Sequence, residues 1–314
     1  MDVSYCLKPG HPVARDIRLI ITRQLTRALP ELDATGARVH DHAIHEARRH
    51  LKKTMAVLRL VKPVLGHEYG DALTRMKVAS RMLAPIADAE ALVDSVDALG
   101  RHGTWTQLDR ATIRAIRSWV LARERRVDRK ATVDDVLEKV KHLLTVEQRQ
   151  VDSWTFRSRG FASIAPGLER SMRRATRAME RAAAHPTCVT YHVWRRRVKD
   201  LWFQVRLIER RCGYGLSGER RRLEALDDLL GQCHNLSLLQ DALVTDPPVS
   251  RDALARCLRS IRGRRTVLRR RALAAGRRLF SEKPRLFVRR VETLWKTNER
   301  RTEGRREPPS WRHT

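Results

Sequence analysis

Two stretches of this chain carry side chains suited to holding anions. His45, Arg48, Arg49, Lys52 and Arg59 lie in HEARRHLKKTMAVLRL, and His192, Arg195, Arg196, Lys199 and Arg206 lie in HVWRRRVKDLWFQVRL. Each member of the first set meets its twin 147 residues later. Arginine outnumbers lysine in both sets. A guanidinium offers a planar fork that holds two oxygens of one phosphate, whereas an ammonium acts as a point charge. A histidine adds a donor whose protonation is favoured beside an anion. The chemistry on offer is charge-assisted binding of a chain of phosphoryl groups.

The elements that must position these groups are helices. At about 100° per residue, Ile44, Ala47, Leu51, Thr54, Leu58 and Val61 share one face, and the five cationic or imidazole residues occupy the adjoining arc. The second stretch repeats the arrangement, with Tyr191, Trp194, Val198, Leu201, Val205 and Ile208 as its apolar stripe. One face therefore packs while its neighbour stays cationic. From His45 to Arg59 the basic stripe runs roughly 20 Å, enough to face several consecutive phosphates. For one basic helix in an arginine-rich chain the ordinary reading is a solvated face. The same residue types at the same angular positions in two diverged copies argue for a retained binding role.

The offset extends beyond these helices: Leu60 matches Leu207, Gly66 matches Gly213, Arg75 matches Arg222, Leu83 matches Leu230 and Leu92 matches Leu239. This spacing indicates an internal duplication, and it adds Arg75 and Arg222 as weaker candidates for anion contact. With 65 Lys and Arg against 36 Asp and Glu the net charge is +29, an imbalance that repels itself unless a polyanion offsets it.

Other chemistries find little support. HEARRH resembles a zinc-protease helix, but that site needs histidines four apart; His45 and His50 are five apart and point about 140° away from each other. The cluster His40, Asp41, His42 and His45 keeps only its last histidine in the partner segment, so no metal is expected. No GxSxG and no Gly-rich phosphate loop occurs, and no catalytic residue or cofactor is expected. The five cysteines are odd in number and lack a CxxC pair, which reads as reduced core thiols. No run of about 18 apolar residues and no signal-peptide pattern is found, so the expected setting is cytoplasmic, with no membrane partner.

Along the chain, helical spacing predicts a helix from Val13 to Leu29 ended by Pro30, and the His45 helix from Val39 to the stops at Pro63 and Gly66. It then predicts a helix over 68–99 with a break at Pro85, and helices within 105–150. The second half repeats this with helices at 165–184, around His192, and over 218–243, 250–280 and 284–300. Strand alternation is absent. The expected fold is all-α: two antiparallel helical bundles related by a pseudo-twofold axis. Residues 1–12 read as a polar lead-in, 13–156 as the first bundle, 157–300 as the second, and 301–314 as a basic, disordered tail.

Nucleic acid is the second choice of polyanion. Aromatic content is only 5%, Trp194 and Trp202 sit on or beside the apolar stripe, and no base-reading motif is present. Sequence-independent backbone binding stays open, because its electrostatic term needs no base contacts. An enzyme acting on phosphate chains ranks third.

The pattern His-x-x-Arg-Arg-x-x-Lys at His45 and again at His192, followed by RMLAPIADAEAL and DLLGQCHNLSLL, resembles the CHAD family. The resemblance covers residues 10 to 300. It implies paired helical bundles around a basic cavity or surface that binds inorganic polyphosphate without catalysis and can bring the protein to polyphosphate granules. Two departures stand out. Where the family has an Arg-Asp pair, this chain has Ala87-Asp88 and His234-Asn235, and Asp200 replaces the twin of Lys53, which suggests that this position lies off the binding face. Charge reversal at Arg48, Arg49, Arg195 and Arg196 together is expected to abolish polyphosphate binding with helicity and melting temperature unchanged; circular dichroism beside a binding assay checks it.

Overall fold

The computed structural model describes residues 5–33, 37–86, 92–93, 95–97, 110–128 and 132–303, with the side chains of 37–42 and 124–132 left aside. Its order is α1 (Val13–Glu31), α2 (Ala37–Leu65), α3 (Glu68–Met82), α4 (Arg110–Asp128), α5 (Thr132–Gln150), α6 (Ala165–Ala184), α7 (Cys188–Ile208), α8 (Ser217–Thr245), α9 (Arg251–Leu279) and α10 (Pro284–Glu303). The protein is all-α, with no strand among the described residues. Ala87-Asp88 and the tail beyond Glu303 lie outside them.

Several helix ends differ from the sequence expectation. Pro30 and Pro63 sit inside the last turns of α1 and α2 and do not stop them. A proline in a final turn forfeits one hydrogen bond, and the stop comes where the backbone reverses. After α2 that point is Gly66, whose φ is +72°; Gly213, after α7, has φ +57°.

Helices α1, α2, α3 and α5 pack on one another, and so do α6, α7, α8 and α10. The two groups meet through α2, which contacts both α6 and α7. One continuous apolar core runs through both, including Leu51, Leu58 and Val61 from α2 and Trp194, Leu201 and Val205 from α7. Each such side chain, once buried, contributes roughly 1.5–3 kcal/mol, and this burial clamps the two basic helices together. A second cluster joins Ile116 and Val120 of α4 to Leu239 and Leu243 of α8 and Ile261 of α9, so the first half also reaches across into the second. Trp119 Nε1 donates to Asp246 Oδ2 over 3.1 Å on that route.

Residues 5–12, expected as a polar lead-in, are structural. Tyr5 and Leu7 are buried, Leu7 N–H donates to the Leu207 carbonyl over 2.8 Å, and the Arg211 guanidinium donates to the carbonyls of Lys8 and His11. Two apolar residues among polar ones show no periodicity, so the sequence carried no sign of their partner at the end of α7. The cysteines are all free. Cys212, Cys233 and Cys257 are buried as expected, whereas Cys6 and Cys188 are only half-buried.

Helix α6 approaches α2 backbone to backbone. A Cβ added to Gly167 would lie 1.7 Å from the Leu60 carbonyl oxygen, so only glycine allows this backbone-on-backbone contact. Gly167→Ala must push the helices apart and is expected to cost at least about 1–3 kcal/mol, read as a lower melting temperature; an unchanged melting temperature would refute this role.

Candidate functional site

Where α2, α3, α7 and α8 converge, a cavity of about 500 Å³ opens. Arg48, Lys52 and Arg59 project into it from α2, His192, Arg195, Arg196 and Lys199 from α7, and Lys77 and Arg81 from α3. Asp200 of α7, His234 of α8 and Ser80 of α3 complete the polar lining. Among the described residues, eight Lys or Arg thus face one carboxylate. The size falls within the ordinary range for ligand sites, and the wall is almost uniformly cationic.

Neutralisation is partial. Arg59 Nη1 meets Asp200 Oδ1 at 2.6 Å, and Lys199 Nζ meets Asp227 Oδ2 at 3.0 Å. Among the described residues no ion pair reaches Lys52, Lys77, Arg81, Arg195 or Arg196. The Nε of Arg195 is buried without a hydrogen-bond partner. Its guanidinium lies against Gly231 of α8, where an added Cβ would come within 3.5 Å of it.

Titration reflects this crowding. Burial first, then Arg48, Lys199 and Arg195, hold the Lys52 ammonium well below the usual lysine value. Lys77 is lowered by burial and by Arg59, Arg81 and Arg196. His45 at the rim is lowered by partial desolvation and then by Lys52, with Glu46 opposing. His234 is pushed down to about 3 by burial and by His192, Arg195, Lys52 and Arg48. Its Nδ1 lies 3.3 Å from the Nδ1 of His192, and the ring centroids are 4.5 Å apart. Such a contact needs one ring nitrogen bare, which accords with a neutral His234.

The expected site residues divide. Arg48, Lys52, Arg59, His192, Arg195, Arg196 and Lys199 are brought together in the cavity wall. His45 is exposed at its edge, within electrostatic reach of Lys52 and Lys199. Arg49 points to solvent and pairs with Glu46. Arg75 is drawn away, its Nε 2.6 Å from the buried Glu147 Oε2 of α5. Arg206 lies over the Tyr5 ring at 6.0 Å, because the inserted N-terminal segment occupies that end of α7. Arg222 is exposed beside a separate pocket that also holds Glu219 and Arg290.

Asp200, expected off the binding face, borders the cavity, while Lys53 is buried under Tyr5, its Nζ 5.3 Å from the ring centroid. The helical angle was the same for both; which neighbour covers it was not. Sequence reading missed Lys77, Arg81 and His234. Lys77 and Arg81 sit four apart on α3 and face the cavity only because α3 folds back on α2. His234 did leave a signal, since the resemblance implied an arginine at its position.

His50 is buried and its Nδ1 lies 2.8 Å from Gln24 Oε1 of α1, while His45 is exposed, so the two do not converge on one metal. Among the described residues, no group of three His, Cys, Asp or Glu side chains could hold a metal ion. Trp194 is fully buried, and Trp202 stacks on Phe203 at 4.8 Å.

A sequence model of the CHAD domain matches residues 20–244 of this chain. The protein belongs to the CHAD domain family. The matched span takes in the two basic helices and the α8 segment with His234, and it is shorter than the resemblance over 10 to 300, leaving α9 and α10 outside. No curated protein and no solved structure matches the chain.

A buried histidine held neutral lowers stability in acid, since the unfolded chain takes up the proton near its ordinary pKa of 6.5 and the folded chain resists until about 3. The ligand-free CHAD domain should therefore lose melting temperature as pH falls below about 6.5. His234→Gln should flatten that slope, and identical slopes for the two proteins would dismiss the His234 contribution.

Proposed function

We propose that this CHAD-domain protein binds inorganic polyphosphate in the cavity between α2 and α7 and does not catalyse a reaction on it. The observation that carries the reading is the wall of eight Lys and Arg residues that, among the described residues, face one carboxylate. Unlike charges on an exposed helix face, these converge on one cavity, and their crowding lowers the pKa of Lys52 and Lys77. Two unit charges about 6 Å apart repel by about 3 kcal/mol at a partly buried site, and an anion threaded among them turns that repulsion into attraction. A chain with one charge per phosphoryl unit matches a wall with cations on several sides, and the CHAD family is associated with polyphosphate binding in general.

Arg48, Arg195 and Arg196 would supply forked contacts, Lys52 and Lys199 point charges, and His192 and His234 hydrogen bonds. The protein would be cytoplasmic and gather on polyphosphate granules; no helix among the described residues is long and apolar enough to cross a membrane. We further infer a duplicated, pseudo-twofold origin, supported by the overlap of α1 to α5, moved on by 147 residues, with α6 to α10 in order, and by left-handed φ at both Gly66 and Gly213.

The decisive experiment measures labelled long-chain polyphosphate binding at two salt concentrations, with DNA and RNA as competitors. Affinity should fall with salt yet survive an excess of nucleic acid; displacement at equal charge would instead favour a nucleic-acid binder. Phosphate release in the presence of Mg²⁺ would point to an enzyme. Arg195→Gln and Arg48→Gln should each weaken binding about 10- to 100-fold, the worth of one charged hydrogen bond of about 1.5–3 kcal/mol, whereas Arg49→Gln should change it less than about threefold. Because a bound polyanion raises the lowered pKa values of Lys52 and His234, binding takes up protons and should tighten as pH falls.

A further inference from the structure

We propose that a small pocket beside the cavity, formed by Lys62, Tyr69, Arg170, Arg174 and Arg197, is an extension subsite for the same phosphoryl chain, opened only when a long chain displaces Asp200 from Arg59. The inference rests on the polyphosphate reading above and names a residue that sets chain-length preference.

Arg59 and Asp200 line both the main cavity and this pocket, so their ion pair is the partition between the two. The Asp200 carboxylate spans it. One oxygen lies 2.6 Å from Arg59 Nη1, and the other lies 3.8 Å from Arg197 Nη1 on the pocket side. Two oxygens held between two guanidiniums is the arrangement a phosphoryl group would adopt there. Asp200 acts as a resident stand-in for the ligand.

Beyond the partition the cations outnumber their counter-charge. Arg59, Lys62, Arg170, Arg174 and Arg197 line the pocket, with Asp200 the sole carboxylate among the described residues. Arg170 Nη1 is buried and makes no hydrogen bond. Lys62 Nζ stands 5.0 Å from the Tyr69 ring centroid, and the Tyr69 hydroxyl feels Arg59, Arg174, Arg170 and Asp200 together. A structural ion pair needs one cation for one carboxylate; this pocket leaves guanidinium donors and a phenol over.

The free space is about 10 Å³, room for one water at most. A phosphoryl group enters only if the Asp200 side chain turns aside. A short chain satisfied by Arg48, Lys52, Arg195 and their neighbours has no reason to break that pair. A long chain has further charges to place, and exchange of one carboxylate for phosphoryl units joins the pocket to the cavity. The Gly167 contact on Leu60 makes this geometry available, because it brings the Arg170 and Arg174 turn of α6 beside Arg59 on α2.

The test compares tripolyphosphate with polyphosphate of about one hundred units on wild type, Arg174→Gln, the double variant Arg170→Gln/Arg174→Gln, and Asp200→Asn. The arginine variants should weaken the long chain about tenfold or more and leave tripolyphosphate within about twofold. Asp200→Asn should widen the ratio of long-chain to short-chain affinity. Arg174 is exposed, so its single variant keeps the test valid if the double variant folds poorly. Equal losses for both chains, no loss for either, or an unchanged ratio in Asp200→Asn would overturn the extension subsite while the cavity reading stands. If wild type binds neither chain, the functional reading itself falls and takes this one with it.

Discussion

The structure depends on holding like charges together. Left to electrostatics, Arg48, Lys52, Arg195 and Lys199 would separate, because Arg48, Lys199 and Arg195 each disfavour the charged state of Lys52. The opposing force is the apolar contact of α2 with α7, where residues such as Leu51, Leu58, Trp194 and Leu201 are all but removed from water. Gln204 Nε2 adds a bond of 2.9 Å to the Ala56 carbonyl across the same seam. A handful of such burials at roughly 1.5–3 kcal/mol each outweighs a few partly screened repulsions of about 3 kcal/mol. The cavity is thereby kept assembled and short of anions.

The carboxylates nearby are rationed by position. Asp227 meets Lys199 and Asp200 meets Arg59, while among the described residues no carboxylate pairs with Lys52 or Arg195. His234 is a ring held neutral among Arg48, Lys52 and Arg195, so it adds a hydrogen-bonding group to this crowded region without adding a charge.

Close backbone approach is the second condition. Gly167 lets α6 lie on α2, and Gly276 of α9 accommodates Trp194, to which an added Cβ would come within 2.7 Å. The first of these contacts brings Arg170 and Arg174 of α6 beside Arg59 and Lys62 of α2. The inserted segment around Tyr5 does the opposite for Arg206 and Lys53, covering them with a ring and removing them from the anion-facing side.

Helix content, the order of helices, the two basic stripes and most of their cavity-facing members were legible in the sequence, because apolar spacing at 3.6 residues per turn is a local property that a single helix displays by itself. The same local reasoning placed Arg75, Arg206 and Arg222 among the candidates and could not separate them from Arg59 or Arg195. Their fate turned on partners far along the chain: Glu147 captured Arg75, Tyr5 covered Arg206, and Arg222 faced another pocket. Lys77, Arg81 and His234 joined the site for the converse reason, since the folding of α3 and α8 against α2 and α7 carried them there. Helical periodicity states which side chains share a face of one helix. Only the packing of helices, set by long-range burial and close glycine contacts, determines which faces enclose a common space.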